Sequence, residues 1–414
     1  MTEGVYVDGA WQSGEGEVFR NQCPATGEIV WEGAAASADQ VSAAVASARR
    51  AFAHWSRLPQ GDRTTILERY AEEIAKRTDA IAETVSRDMG KALWESRGEA
   101  ATMKAKVAVS IAAQVERAGS KFAKVDFGSS HLTHRPHGVM AVFGPFNFPG
   151  HLPNGHIVPA LLAGNTCVFK PSELAPGVAR LMADAFEAAG LPPGCLNIVH
   201  GGRGAGAALL DTDIDGLLFT GSAATGVFFH RHFAGRPEVI LALEMGGNNP
   251  LIIWDPADVD AAADIAAQSA FLTTGQRCSC ARRIILPEGK WGDQVADAIV
   301  ARAEGLAIGA WDEDGIFMGP LVSERAALNA VEFQDMLLAK GGKALRKLEH
   351  LPRGGGFVSA GVVDVTGAQG IPDEELFGPV MQIVRVPDFD SAIARANATK
   401  YGLSGGLISD DDAL

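Results

Sequence analysis

Val139-Met140-Ala141-Val142-Phe143-Gly144-Pro145 is an apolar run that stops at a glycine and a proline. A short apolar run bounded by Gly-Pro has the length of a strand rather than of a helix. Working outward, the same pattern returns at Thr166–Phe169, Leu196–Val199, Leu217–Phe219 and Val239–Leu243. Helical stretches lie between these runs, around Ile157–Leu162, Val178–Ala189, Ala205–Leu210 and Gly226–Phe233. This alternation predicts βαβ units and a mostly parallel, open sheet in an α/β protein. Ligands of such sheets sit at the C-terminal strand ends. Asn147, Lys170, Gly221 and Glu244 each follow an apolar run.

Upstream, the Ala-rich segment from Ala36 to about Lys121 carries Lys, Arg and Glu at helical spacing and predicts three amphipathic helices. His131–His137 is polar and reads as extended. A second α/β unit starts at Asn248. The 414 residues are long enough for two or three domains. A composition of 47% hydrophobic and 21% charged residues is that of a globular chain, and the 48 glycines suit many turns. A net charge of −14 leaves no basic footprint for nucleic acid or anionic membrane. No apolar stretch is long enough to span a bilayer, and the N-terminus lacks a signal-peptide pattern. Cys23, Cys167, Cys195, Cys278 and Cys280 form an odd set without a disulfide framework, which predicts reduced thiols and a cytoplasmic location. Cys278-Ser279-Cys280 is too short a spacing for zinc, so no metal is expected.

The chemistry gathers in two motifs. Gly275-Gln276-Arg277-Cys278-Ser279 follows the helical stretch Ala261–Phe271 and presents a thiol beside a flexible backbone. Leu243-Glu244-Met245-Gly246-Gly247 places a carboxylate at a strand end, before two glycines that permit a tight turn. A thiol and a base-competent glutamate are the parts for covalent catalysis at a carbonyl carbon. Alone, a cysteine such as Cys278 is more often a small buried hydrophobe than a nucleophile, and most glutamates, Glu244 included, read as solvated acids. Gly202-Arg203-Gly204-Ala205-Gly206-Ala207 fits a relaxed dinucleotide pattern, but no acid stands at a strand end about 20 residues on, so it predicts a turn without a phosphate role. The Gly221-Ser222 turn opens a helix, where backbone N–H groups suit a pyrophosphate.

Taken together the motifs resemble the aldehyde dehydrogenase superfamily. Gly-Gln-Arg-Cys and Leu-Glu-Met-Gly-Gly resemble its nucleophile and general-base motifs. Pro145-Phe146-Asn147-Phe148-Pro149, Lys170-Pro171-Ser172-Glu173, Gly221-Ser222-Ala223-Ala224-Thr225-Gly226 and Glu375-Leu376-Phe377-Gly378-Pro379 resemble four more, in the family's order. The stretches Gly144–His156 and Glu244–Pro250 are most similar to a bacterial branch that acts on an anionic semialdehyde.

The resemblance implies a Rossmann-like NAD-binding domain with N-terminal helices over residues 1–247, with 121–138 as an oligomerisation segment. It implies a catalytic α/β domain over 248–414, and several tens of further residues beyond Leu414. It implies Cys278 as nucleophile, Glu244 as the base that hydrolyses a thioester, and Asn147 with the Cys278 N–H as oxyanion donors. NAD would be held by Lys170 and Glu173 at the adenosine ribose, by Gly221, Ser222, Ala223, Ala224, Thr225 and Gly226 at the pyrophosphate, and by Glu375 and Phe377 at the nicotinamide ribose. Glu173 would repel a 2′-phosphate, favouring NAD over NADP. His151 and Arg277 are candidates for an anionic aldehyde, with helix packing and a structural ion pair as the alternatives. Cys280 reads as structural, and Phe146 stands where the family often has Trp. A homodimer or homotetramer is expected. A CoA-dependent acyl-transferring relative would lack Glu244. A non-enzymatic relative, like a lens crystallin, need not keep Cys278, Asn147 and Glu244 together.

Overall fold

The computed structural model describes residues 2–414, which form two compact units. The first comprises the described residues up to Gln22, with Glu28–Asp88 and Leu93–Glu244; the second comprises Cys23–Gly27, Met89–Ala92 and Met245–Leu414.

The first unit is built on a seven-stranded sheet. Across it the strands run Ile240–Met245, Gly216–Gly221, Val139–Phe143, Thr166–Lys170, Leu196–Val199, Val5–Val7 and Ala10–Gln12. The pairs from Gly216–Gly221 through Leu196–Val199 are parallel, with Leu217 opposite Ala141 and Ala141 opposite Val168. Every residue of Val139–Phe143, Thr166–Lys170 and Leu196–Val199 is buried, the pattern of parallel strands covered on both faces. Two short N-terminal strands extend the sheet, antiparallel, which the sequence reading did not include. At three residues each they carry no periodic signal. Their cue is Asp8-Gly9, both at positive φ (56° and 83°), the residue pair that a two-residue hairpin turn demands.

The Ala-rich segment holds four helices rather than three: Ala38–Trp55, Gln60–Lys76, Thr78–Met89 and Leu93–Ala118. The break at Arg77 is a single residue, which helical spacing alone does not reveal. Ser37 and Gln40 form a capping box that starts the first helix. That helix lies on the sheet: the Thr166 hydroxyl donates to the Ala48 carbonyl, and Trp55 Nε1 donates to the Leu161 carbonyl, both at 3.0 Å. Tyr70 stacks on Phe186 with centroids 3.7 Å apart, both rings buried. Lys121–Val125 and Gly128–Leu132 pair as an exposed antiparallel ribbon.

The second unit carries a six-stranded sheet in the order Lys343–Arg346, Gly361–Asp364, Val380–Val386, Ala281–Pro287, Asn249–Ile253 and Gly406–Ile408. All neighbours are parallel except the first pair. Successive side chains enter opposite cores, as the strand period of two dictates. Ile253, Ile284 and Ile383 pack with the helices Val259–Phe271 and Lys290–Glu304. Ile252, Ile285 and Val384 pack with Glu324–Ala339 and Phe389–Asn397. Truncating one of these isoleucines to alanine costs about 2–5 kcal/mol, because a filled position becomes a cavity. Among the described residues no helix is long and apolar enough to cross a membrane, and no cluster of three His, Cys, Asp or Glu side chains could hold a metal.

Candidate active site

The helix Val259–Phe271 ends in a turn, Leu272–Gly275, where Thr273, Thr274 and Gly275 all take left-handed backbone (φ 55°, 56° and 72°). For a β-branched residue this costs of order 1–3 kcal/mol, so the surroundings must hold it. Thr274 Oγ1 donates to the Gly319 carbonyl at 2.8 Å, and Arg277 Nε donates to Thr273 Oγ1 at 2.8 Å. Gln276 Nε2 donates to the Thr273 carbonyl at 3.1 Å while its Oε1 accepts from the Val322 N–H at 3.0 Å. Gly275 has no substitute, since a Cβ there would lie 2.3 Å from the Gly378 carbonyl oxygen.

Downstream of the turn, Asn249 Nδ2 donates to the carbonyls of Cys278 (2.7 Å) and Cys280 (3.0 Å). Cys278 is therefore presented from a loop pinned on both sides. It is half-buried, whereas the other four cysteines are buried. Burial pushes the Cys278 thiol up from its ordinary value, and the Glu375 carboxylate and Cys280 add to the push. The Cys280 Sγ faces the Leu272 carbonyl at 3.8 Å, inside the fold.

Glu375 lies in the same unit. Its carboxylate rests on the backbone of the glycine pair after Glu244: a Cβ at Gly246 would sit 1.7 Å from Glu375 Oε2, and the Gly247 N–H donates to the carboxylate. Neither glycine has positive φ, so the pair serves close approach rather than the tight turn expected from the sequence. Glu375 Oε1 is buried without a hydrogen-bond partner and lies 3.9 Å from Arg282 Nη2. Burial raises the Glu375 carboxyl, opposed by Arg282 and the Gly247 N–H. A buried acceptor left open beside half-buried Phe377 is what a ligand hydroxyl, such as that of a ribose, requires.

In the first unit, Glu244 is exposed and is the last residue but one of the strand Ile240–Met245, at a strand end as the sequence predicts. Asn147 is buried just beyond the strand Val139–Phe143. His151 opens the helix His151–Ala163, whose first amides are satisfied by Glu99: its Oε1 accepts from the N–H groups of Gly150 (2.9 Å) and His151 (3.0 Å). Lys170 ends its strand, and Nζ donates to the carbonyls of Gly201 (2.7 Å) and Pro171 (2.9 Å). Burial lowers its pKa, and Glu173, 3.5 Å away and half-exposed, opposes that. Gly206 packs over the Phe143 ring and the Lys170 stem, where a Cβ would make ordinary contacts at 3.4 Å and 3.7 Å, and Gly204 has open space beside it.

Ser222 caps the helix Ala223–His232, its hydroxyl accepting from the Thr225 N–H at 3.2 Å. The Ser222 carbonyl takes the Gly226 amide at 3.0 Å, and the Ala223 and Ala224 amides have no acceptor within the helix. Such a helix start accepts an anion. In the second unit the structure brings Arg277, Cys278, Glu375 and Phe377 together, and in the first it joins Lys170 and Glu173 to the turn at Gly201. Asn249, Arg282 and Glu99 were not singled out from the sequence. The available signals were the Asn248-Asn249 pair and two arginines, Arg282-Arg283, inside an apolar strand.

Residues 11–414 match the model of the aldehyde dehydrogenase family. The N-succinylglutamate 5-semialdehyde dehydrogenase of Burkholderia mallei (strain SAVP1) is 54% identical over 416 residues, which cover 100% of this chain and 85% of that protein. Among solved structures, PnpE in complex with nicotinamide adenine dinucleotide superposes with a TM-score of 0.94 at 31% identity, covering 100% of this chain and 86% of PnpE. An NADP-dependent enzyme of E. coli superposes with a TM-score of 0.93 at 30% identity, covering 99% of this chain and 86% of that one. The thiol loop, the carboxylate-bearing strand and these matches over nearly the whole chain lead to one conclusion: the chain belongs to the aldehyde dehydrogenase family.

Proposed function

We propose that this NAD-dependent aldehyde dehydrogenase oxidises N-succinyl-L-glutamate 5-semialdehyde to N-succinyl-L-glutamate, a step of arginine catabolism by the succinyltransferase route. The observation that carries the reading is the pinned Cys278 loop, in a chain 54% identical to a protein named for that substrate. In this reading the Cys278 thiolate attacks the aldehyde carbon. The Asn147 amide and the Cys278 N–H donate to the oxyanion, an interaction worth a few kcal/mol per donor. The bound dinucleotide supplies the hydride acceptor. Loss of hydride leaves a thioester on Cys278, and Glu244 activates the water that releases the carboxylate.

Glu375 Oε1 would accept from the nicotinamide ribose, with Phe377 beside it. Lys170 and Glu173 would hold the adenosine ribose, and Gly221–Gly226 the pyrophosphate. The Glu173 carboxylate would repel a 2′-phosphate. His151 and Arg277 are assigned to the substrate carboxylates. We assign the exposed ribbon of residues 121–132, which bears Phe122, Phe127 and Leu132, to contact between copies in a homodimer or homotetramer in the cytoplasm.

The test is an NADH-formation screen over the semialdehydes of succinylglutamate, glutamate and succinate. The first should give the highest kcat/KM. An equal or higher value for either of the others would sink the assignment.

A further inference from the structure

We infer that Arg282 is a positioning residue for the reaction, a single buried guanidinium that fixes the nucleophile loop and the Glu375 carboxylate relative to each other. The inference rests on the reading of Cys278 as nucleophile and of Glu375 as a dinucleotide ligand. Arg282 is the second residue of the strand Ala281–Pro287 and is 2% exposed. Its Nη1 donates to the Gly275 carbonyl at 2.7 Å and to the Gly378 carbonyl at 3.3 Å. Its Nη2 donates to the Arg277 carbonyl at 2.9 Å and faces Glu375 Oε1 at 3.9 Å. Its Cζ lies 5.6 Å from the centre of the Phe377 ring.

Two of those carbonyls belong to the loop that carries Cys278, and the third belongs to the Glu375–Pro379 segment. The two segments already touch where Gly275 meets Gly378, too closely for a side chain. Nη1 bridges the carbonyls of those same two glycines, so a shift of one segment is passed to the other. A planar fork carries its donors on separate nitrogens at fixed spacing and so reaches carbonyls of two segments at once; a lysine ammonium gathers its three donors at one point on a flexible stem. The distance to Glu375 matters equally. At 3.9 Å the guanidinium holds the carboxylate by charge while Oε1 keeps its lone pairs open for a ligand hydroxyl. An arginine that merely braced the fold would have no reason to spare that oxygen.

The experiment compares Arg282→Lys, Arg282→Gln, Glu375→Gln and the Arg282→Lys/Glu375→Gln double variant in the full 414-residue chain. It reads kcat, KM for NAD, the iodoacetamide alkylation rate of Cys278 without dinucleotide, and the melting temperature. Arg282→Lys should lower kcat by roughly 100-fold, the effect of a misplacement near 1 Å. It should also raise KM for NAD and change the alkylation rate several-fold. In the Glu375→Gln background Arg282→Lys should raise KM no further, because the carboxylate it holds is gone, while kcat still falls.

A lower melting temperature with kcat, KM and alkylation all at wild-type values would reduce Arg282 to a structural role and overturn the inference. If the Arg282 variants do not fold, Glu375→Gln alone decides, read at the alkaline plateau where Cys278 is fully thiolate and the direct effect of the carboxylate on its pKa drops out: coupling through the shared guanidinium predicts an altered plateau alkylation rate, and an unchanged one overturns it. Turnover surviving in Cys278→Ala would instead strike the underlying reading, and is read separately from the alkylation data.

Discussion

Cys278 and Glu244 divide the proposed chemistry between thiol and base, and each half can be measured alone. Glu244→Gln should still release one equivalent of NADH in a burst and then stall, because the thioester forms but lacks its hydrolytic base; Cys278→Ala should give no burst. Equal loss of the burst in both variants would remove Glu244 from deacylation. The Cys278 thiol also has a pH signature. Burial and the Glu375 carboxylate raise its pKa, so thiolate is scarce at neutral pH in the dinucleotide-free protein. Its alkylation rate should keep climbing past the ordinary thiol value of about 8.5. A plateau below that value would show that the loop lowers the thiol pKa rather than raising it. The identity of the thiol was legible in Gly-Gln-Arg-Cys. Its setting was not, because Asn249 bonds the Cys278 carbonyl and Arg282 the carbonyls of Gly275 and Arg277, and neither side chain belongs to the five-residue motif.

At the scale of elements, the strand ends carry the groups proposed to bind the dinucleotide. Lys170 closes Thr166–Lys170, and Gly221 closes Gly216–Gly221 just before the Ser222 cap. Glu173 lies just past the Lys170 strand end with about half its side chain in solvent (48%), which leaves its carboxylate accessible for the proposed ribose contact. Glu173→Ser should therefore narrow the preference for NAD over NADP, as read from the ratio of their kcat/KM values. A wild-type protein that turns over faster at low NADP than at low NAD would contradict the role given to this carboxylate. Five strands of this sheet were readable from apolar runs, and in the three central ones every residue is buried, as in parallel strands covered on both faces. The strands Val5–Val7 and Ala10–Gln12 and the Arg77 break escaped, because elements and breaks of one to three residues leave no period to detect.

Stability as a whole should carry one unusual pH term. Asp88, in the helix Thr78–Met89, is buried, and its Oδ2 accepts from the Gly177 N–H at 2.7 Å. Burial raises its pKa to about 7, against the pull of that N–H and of Arg87. A carboxyl raised on folding contributes stability that is fully present below its unfolded pKa, about 3.9, and is lost as pH rises through the folded value. The three-unit gap corresponds to a ceiling of about 4 kcal/mol. Asn can still accept from Gly177 and has no proton to lose. Asp88→Asn should therefore melt higher than wild type at pH 8, with the difference shrinking towards pH 4. Parallel melting-temperature profiles in calorimetry across that range would show that Asp88 does not titrate in this way.

The sequence by itself determined the α/β alternation, the thiol and carboxylate motifs, and the family, because each is written in residues a few positions apart. Only the tertiary structure decided what Gly246 is for, since the Glu375 carboxylate lies on its backbone and any side chain there would displace it. The same holds for the left-handed Thr273 and Thr274, which no local preference favours and which neighbours from Gly319, Val322 and Arg277 hold in place. It holds again for Arg282, whose partners come from two separate segments. Local pattern reports which face of an element is apolar; close approach and shared hydrogen bonds exist only once distant segments have packed.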